Sequence, residues 1–81
     1  MNVTLLFFAS YTDIAGVSDL SADLADGSTV DDLSEWLSGR FPAFAASLPK
    51  GRIAVNQEFA ESTLVLADGD EVAFMPPMSG G

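Results

Sequence analysis

The sequence has 81 residues and a mass of 8.5 kDa, which is enough for one small domain. Twelve acidic residues against three basic ones give a formal net charge of −9, and the chain has no cysteine and no histidine. This composition excludes disulfides and thiol chemistry, removes the commonest metal ligand, and disfavours binding to nucleic acids or anionic membranes. Because 48% of the residues are hydrophobic, we expect a folded acidic domain and not a disordered tail.

The first residues carry no recognisable export signal. The apolar stretch 3–9 lacks a preceding cationic region, and Asp13 follows soon after it. No apolar stretch reaches the roughly 18 residues that a membrane span needs. We therefore expect a cytoplasmic protein.

The first 24 residues predict two strands around a short connection. Alternation predicts a strand over 2–9, with Phe8 on the face turned away from the core. Residues 10–16 predict a turn or short helix that Ser10 caps and Gly16 closes. A second strand is expected from Ser18 to Leu24.

The strongest helix signal runs from Val30 to Arg40. Thr29 is the expected N-cap, and Asp32 three residues later is typical of a capping box. Apolar residues recur along one helical face at Val30, Leu33, Leu37 and Phe41. Pro42 ends this helix and is expected to begin a short one through Leu48.

The rest of the chain predicts two more strands and two turns. We expect a strand over 52–56, a turn at Gln57 and Glu58, a tight turn at 68–70, and a last strand over Glu71–Met75. The order strand, strand, helix, strand, strand predicts an α+β fold in which one helix covers one face of a sheet.

The last six residues, 76–81, break the acidic pattern. No charged side chain occurs from Val72 to Gly81. The two prolines favour an extended course, and glycines without a Cβ can pass through a narrow opening. Six extended residues span at most about 20 Å, enough to enter another protein's active site. The alternative is a frayed C-terminus without a function.

The chain resembles the small subunits of molybdopterin synthase, which are ubiquitin-like sulfur carriers of β-grasp fold. The stretches that carry the resemblance are 68–81 above all, then 54–57 and 6–9. The family pattern ends in Pro-Pro-Val-(Ser, Thr or Ala)-Gly-Gly. Met78 replaces the usual valine here, and Met75 stands where an aromatic residue is common. The resemblance implies a β-grasp domain over 1–75 and an extended tail over 76–81.

The resemblance also implies a chemistry. A ubiquitin-activating-like adenylyltransferase would adenylate the Gly81 carboxylate with ATP and Mg²⁺, and a sulfur donor protein would convert it to a thiocarboxylate. The large synthase subunit, in a heterotetramer, would then take the sulfur for cyclic pyranopterin monophosphate. The tail residues implied in this transfer are Pro76, Pro77, Met78, Ser79 and Gly80, next to Gly81 itself. The chain would bind no cofactor of its own and would not be catalytic alone.

A docking surface is expected near the base of the tail. Phe8 and Met75 fall on the outer side of strands that the resemblance makes parallel neighbours, and Phe59 would join them. The alternative is that Phe59 packs into the core. Three acidic residues expected near the same end, Asp68, Asp70 and Glu71, could steer a basic partner.

Other functions stay open at this stage. The chain could carry sulfur for thiamine or cysteine synthesis, or it could be a ubiquitin-like modifier or a plain interaction module. We expect no metal site, because the segment 68–71 lacks the alternating acids and terminal glutamate of a calcium loop and is typical of a turn. Asp31 and Asp32 are adjacent on the helix and do not form a carboxylate pair.

Overall fold

The computed structural model describes residues 1–77, which form a five-stranded mixed sheet with one main helix packed on one face. The strand order is β2-β1-β5-β3-β4. The elements are β1 (Asn2–Phe7), α1 (Ser10–Ala15), β2 (Asp19–Asp23), α2 (Val30–Arg40), β3 (Arg52–Val55), β4 (Glu58–Phe59) and β5 (Glu71–Met75). This arrangement is the α+β, ubiquitin-like β-grasp fold that was predicted.

The central pairing joins the two ends of the chain. β5 lies between β1 and β3, running parallel to β1 and antiparallel to β3. In the parallel pair Leu5 lies opposite Val72, and Phe7 lies opposite Phe74. All four of these side chains are buried, so the face of the sheet toward α2 is the core face.

Helix α2 begins and ends at the predicted residues. The Thr29 hydroxyl accepts a hydrogen bond from the Asp32 amide at 3.2 Å, and the Asp32 carboxylate accepts one from the Thr29 amide at 2.9 Å. This reciprocal pair is the predicted capping box. Val30, Leu33 and Leu37 are buried against the sheet, which confirms the apolar stripe as core.

Aromatic rings fill the core at the end of the sheet where β1 and β5 finish. The Phe7 ring stacks on Phe44 at 5.6 Å and on Phe74 at 5.9 Å between centroids. Tyr11 meets Phe44 edge to face at 5.0 Å. Since α1 supplies Tyr11 and the connection after α2 supplies Phe44, these rings fasten both segments to the sheet.

Two predictions near the N-terminus were wrong. Strand β1 ends at Phe7, because Ala9 takes a positive φ of 50° and turns the chain out of the sheet. Ser10 is the first residue of α1 and does not cap it; Ala9 occupies the N-cap position, with no side-chain hydrogen bond there. Gly16 closes α1 in the left-handed conformation, as predicted.

The connections around β3 also differ from the prediction. Instead of a helix from Pro42 to Leu48, two 3₁₀ turns form at Pro42–Phe44 and Leu48–Lys50. The predicted turn at 57–58 lies one residue earlier. Asn56 and Gln57 both have positive φ, 50° and 72°, which makes a tight hairpin and leaves Glu58 in strand β4.

Candidate functional site

Three strands bring their residues together where the chain leaves the sheet. Strand β5 ends at Met75, and Arg52 of β3 pairs with Met75 on one side. On the other side the parallel register aligns Phe7 with Phe74, so Phe8 comes beside Met75. The base of the segment 76–81 is therefore flanked by Phe8 and by Arg52.

An apolar patch with one cation lies on the face of the sheet opposite α2. The side chain of Phe59 is 68% exposed and that of Phe8 is 48% exposed, while Met75 is half-buried. The guanidinium carbon of Arg52 lies 4.8 Å from the centre of the Phe59 ring, a cation–π contact. We call Phe8, Met75, Arg52 and Phe59 the outer patch.

The outer patch decides between the two predictions for Phe59. Its exposure shows that the core alternative is wrong and that the side chain faces out. Strand pairing explains this. Val55 pairs with buried Val72 and lies on the core face, so its neighbour Ala54 lies on the outer face. Phe59 pairs with Ala54 and shares that outer face. Sequence reasoning missed Arg52. The alternation of β3 could have placed it on the outer face, since Ile53 next to it lies opposite buried Phe74 on the core face.

A row of small and apolar residues continues the outer patch across the sheet. Leu6 pairs with Ala73, Ala73 pairs with Ala54, and Ala54 pairs with Phe59. No charged side chain interrupts this row between β1 and β4. Apart from Arg52, the surface around the base of the tail is thus apolar over four strands, which is typical of a protein docking site.

The end of β5 is held by close backbone packing. A Cβ atom on Gly51 would collide with the carbonyl oxygen of Met75 and would lie 3.0 Å from the Tyr11 hydroxyl. The Tyr11 hydroxyl in turn shares a hydrogen bond of 2.9 Å with the Ser47 hydroxyl. Gly51 thus allows two backbone segments to touch directly at the residue from which the tail starts.

The predicted tail is only partly within the described residues. Pro76 and Pro77 continue from β5 without regular secondary structure and are half-buried. The predictions for Met78, Ser79, Gly80 and Gly81 fall outside residues 1–77.

The acidic residues before β5 lie at the wrong end for the predicted steering role. Asp68, Asp70 and Glu71 are at the start of β5, and the tail leaves from Met75 at its other end, about 13 Å away along the strand. Asp70 has a structural role instead: its carboxylate accepts a 2.9 Å hydrogen bond from the Asn56 side chain.

The segment 68–71 forms the predicted turn. Gly69 takes a positive φ of 88°, and the Asp68 carboxylate accepts a hydrogen bond of 2.6 Å from the Asn2 amide. Within residues 1–77, no group of three or more acidic side chains comes close enough to hold a metal ion. The helices in this described part of the chain are too short or too polar to cross a membrane.

Comparison with known proteins identifies the family. Residues 5–81 match the model of the ThiS family. The chain belongs to this family. It is 36% identical over 83 residues to the molybdopterin synthase sulfur carrier subunit of Chlamydomonas reinhardtii, covering 100% of both chains. It is 37% identical over 81 residues to the protein of that name from Escherichia coli, covering 98% of this chain and 99% of that one. These relatives confirm the resemblance predicted from the sequence.

Solved structures place this ThiS-family chain in the ubiquitin-like fold. SAMP1 from Haloferax volcanii superimposes with a TM-score of 0.88 at 28% identity, covering 100% of both chains. A ubiquitin from Caldiarchaeum subterraneum gives 0.69 at 17% identity, covering 100% of this chain and 98% of that one. The complex of subunits 1 and 2 of molybdopterin-converting factor from Helicobacter pylori gives 0.70 at 22% identity, covering 100% of both chains. The last two likenesses concern the fold alone.

Proposed function

We propose that this protein is the sulfur carrier subunit of a molybdopterin synthase and that the α-carboxylate of Gly81 carries the sulfur. The observation that supports this most is full-length similarity, at 36% and 37% identity, to two sulfur carrier subunits of that enzyme. The family match extends to Gly81, the last residue.

The proposed chemistry uses the C-terminus in place of a catalytic side chain. An adenylyltransferase joins the Gly81 carboxylate to the AMP part of ATP with Mg²⁺ and releases pyrophosphate. The persulfide of a sulfur donor protein then attacks the activated carbonyl carbon and AMP leaves, which gives an acyl disulfide. A thiol of a partner protein reduces the S–S bond, forms a disulfide with the donor, and frees the thiocarboxylate. The sulfur passes to cyclic pyranopterin monophosphate, and water restores the carboxylate. With no cysteine or histidine in the chain, acid–base catalysis belongs to the partners.

The residues before Gly81 guide it into the partner's active site. Pro76 and Pro77 limit backbone freedom where the tail leaves the sheet, so less entropy is lost when the tail is inserted. Gly80 gives clearance in a narrow channel, and Met78 and Ser79 add length without charge. The domain over 1–75 stays outside the partner's active site and binds its surface.

The outer patch is the proposed contact with the large subunit. Aromatic and arginine side chains supply most of the binding energy in protein interfaces, and the patch offers Phe8, Phe59 and Arg52 around the base of the tail. The Helicobacter pylori neighbour is itself a complex of two subunits. We propose a heterotetramer of two carriers on a large-subunit dimer, assembled in the cytoplasm, where ATP is available.

Mass spectrometry of the intact protein tests the proposal. The chain is incubated with a candidate adenylyltransferase, ATP, Mg²⁺ and a sulfur donor, with a variant lacking Gly81 as control. We expect the mass increase of one oxygen-to-sulfur exchange in the full chain and none in the variant. No exchange with any activating enzyme of the source organism would refute every carrier function.

A second incubation separates the carriers from each other. The loaded protein is mixed with large subunit and pterin precursor, or with the thiazole-forming or cysteine-forming enzymes. Sulfur transfer only to thiazole or to cysteine would refute the molybdopterin assignment.

The modifier function is the second candidate, because SAMP1 shares 28% identity and a TM-score of 0.88 with this chain. It predicts an amide bond between Gly81 and a lysine of another protein. Peptide mapping of cell extracts would find a Gly-Gly remnant on lysine in that case.

A further inference from the structure

A groove lies between α2 and the strands β3 and β4, and it reaches Arg52 and Phe59 at one edge of the outer patch. Its main cavity has a volume of about 730 Å³, within the usual range of ligand-binding sites. Helix α2 forms one wall with five residues: buried Val30 and the polar residues Asp31, Ser34, Glu35 and Ser38. Leu48, Ile53 and Ala60 are among the apolar residues on the other side. We call this cavity the helix groove.

The α2 wall presents one regular polar stripe. Its members are three or four residues apart, so they lie on a single face of the helix. Asp31 and Glu35 are exposed, and their side chains make no ion pair or hydrogen bond among the contacts of residues 1–77. Within that part of the chain the ion pairs involve only the Met1 amino group. This wall therefore attracts cations, while the opposite wall favours apolar groups.

A second, smaller cavity extends the groove along β4. It has a volume of about 290 Å³ and shares Phe59 and Ala60 with the main cavity. Glu58 and Glu61 line it, so two further carboxylates lie along the same path. The groove is thus long enough for several residues of a chain, and its lining carries four carboxylates against one cation, Arg52, whose guanidinium lies over the Phe59 ring.

We propose that the helix groove binds an extended protein segment in which cationic and apolar side chains alternate. The spacing supports this occupant. Side chains at i and i+4 on a helix, as Asp31 and Glu35 are, lie about 5–6 Å apart between Cβ atoms. Side chains at i and i+2 of an extended segment repeat every 6.5–7 Å or so on one side. Two lysines or arginines of such a segment therefore meet both carboxylates, and the side chains between them face the apolar wall.

The charge of the protein favours the same occupant. A net charge of −9 attracts basic segments and repels a second copy of this chain. The binding is expected to weaken as salt is added, because the carboxylates are exposed and their interactions are screened. The proposed binding in the helix groove does not rest on the proposed sulfur-carrier function.

Two-dimensional NMR of the ¹⁵N-labelled full chain tests the proposal. The probe is an N-acetylated, C-amidated hexapeptide of alternating leucine and lysine, and its control has glutamine in place of lysine. We expect amide shifts to change around Ser34, Glu35, Ile53 and Ala60 with the lysine peptide, and much less with the glutamine peptide. Equal binding of both peptides, or shifts confined to Phe8 and Met75, the outer-patch residues that do not line the groove, would overturn the proposal.

Two matched double variants distinguish binding of the peptide in the groove from its general attraction to an acidic protein. Neutralising the wall with Asp31→Asn and Glu35→Gln removes two exposed ion pairs, which predicts a rise in Kd of about 2- to 30-fold. Asp13→Asn with Asp19→Asn makes the same change of charge at exposed positions outside the groove and should leave Kd unchanged. Thermal unfolding of each variant is measured as well, to check that it is folded.

Three further results would contradict the proposal. Equal weakening by both double variants would mean that only the overall charge attracts the peptide. Groove shifts that depend on protein concentration without peptide would mean that a second copy occupies the groove. No shifts at millimolar peptide would mean that nothing of this chemistry binds. Since no activating enzyme is present, each of these results leaves the proposed sulfur transfer untouched.

Discussion

Gly51→Ala is the substitution that tests how the base of the tail is held. Gly51 has φ −90° and ψ −166°, an extended conformation that alanine adopts without strain. Any loss of stability must therefore come from the added methyl group. That group would collide with the Met75 carbonyl, which is backbone within a paired strand and cannot swing away as a flexible side chain would.

The size of the effect follows from two opposing contributions. Overpacking of this kind costs about 1–3 kcal/mol. Replacing glycine by alanine also restricts the unfolded chain, which returns about 0.4–1 kcal/mol. The net loss is then at most about 2.6 kcal/mol and about 1.3 kcal/mol at the midpoints of the two ranges. For a domain of this size each kcal/mol lowers Tm by roughly 4–8 °C, so a clear fall is expected.

Calorimetry of Gly51→Ala and Gly39→Ala together measures this effect against a control. Gly39 lies in α2 with no atom within 4 Å of the position its Cβ would take, so alanine there should stabilise the helix by about 0.5–1 kcal/mol. The expected result is a lower Tm for the first variant and a higher Tm for the second. A Tm for Gly51→Ala equal to or above that of the wild type would refute the direct packing of Gly51 on Met75.

One deletion and two substitutions test the tail, the outer patch and the main helix. Deleting Gly81 should abolish thiocarboxylate formation in the mass-spectrometric assay and leave Tm unchanged, since no core residue is removed; a large fall in Tm would contradict a separate tail. Phe8→Asp should weaken binding to the large subunit at least tenfold by calorimetric titration, because it places a charge in the outer patch, while its half-exposed ring costs only about 1 kcal/mol of stability. Val65→Asp, at a side chain 59% exposed, is its control. If both variants weaken binding to the large subunit equally, the outer patch is not part of the interface. Thr29→Ala should cost about 0.5–2 kcal/mol in chemical denaturation by removing the capping hydroxyl, and no loss would mean that the Asp32 contact adds nothing.

The sequence best predicts the elements that are marked by local signals, such as capping residues and prolines. Helix α2 has a capping pair at its start and a proline just after its end, and both bounds agree with the structure. The turn at Asn56 and Gln57 was placed one residue too late, because glutamine is not a residue that favours positive φ. The segment after Pro42 was predicted as a helix, but it bonds from residue i to i−3: the Ser47 amide donates to the Phe44 carbonyl at 3.0 Å.

The candidate site depends on strand direction and pairing, which local patterns do not contain. The parity of the strands and the resemblance together predicted an exposed Phe8 beside Met75. Alternation along β3 is enough to place Arg52 on the outer face, but its contact with Phe59, on another strand, has no local signal. The acidic residues before β5 were placed near the tail because they are close to it in sequence, although a strand carries the chain away from them. The contact between Gly51 and Met75 joins residues 24 positions apart and has no sequence signal.

The position of β5 has a consequence for how the protein is made. Of the strands within residues 1–77, β5 is synthesised last, and it lies between β1 and β3. Until β5 is present, the antiparallel pair of β1 and β2 has no strand that connects it to the pair of β3 and β4. Formation of the complete sheet therefore depends on contacts between residues far apart in the sequence. Chains that stop before Val72 lack the strand that joins the sheet. A partner that recognises the assembled sheet therefore binds only molecules whose synthesis has reached the base of the tail.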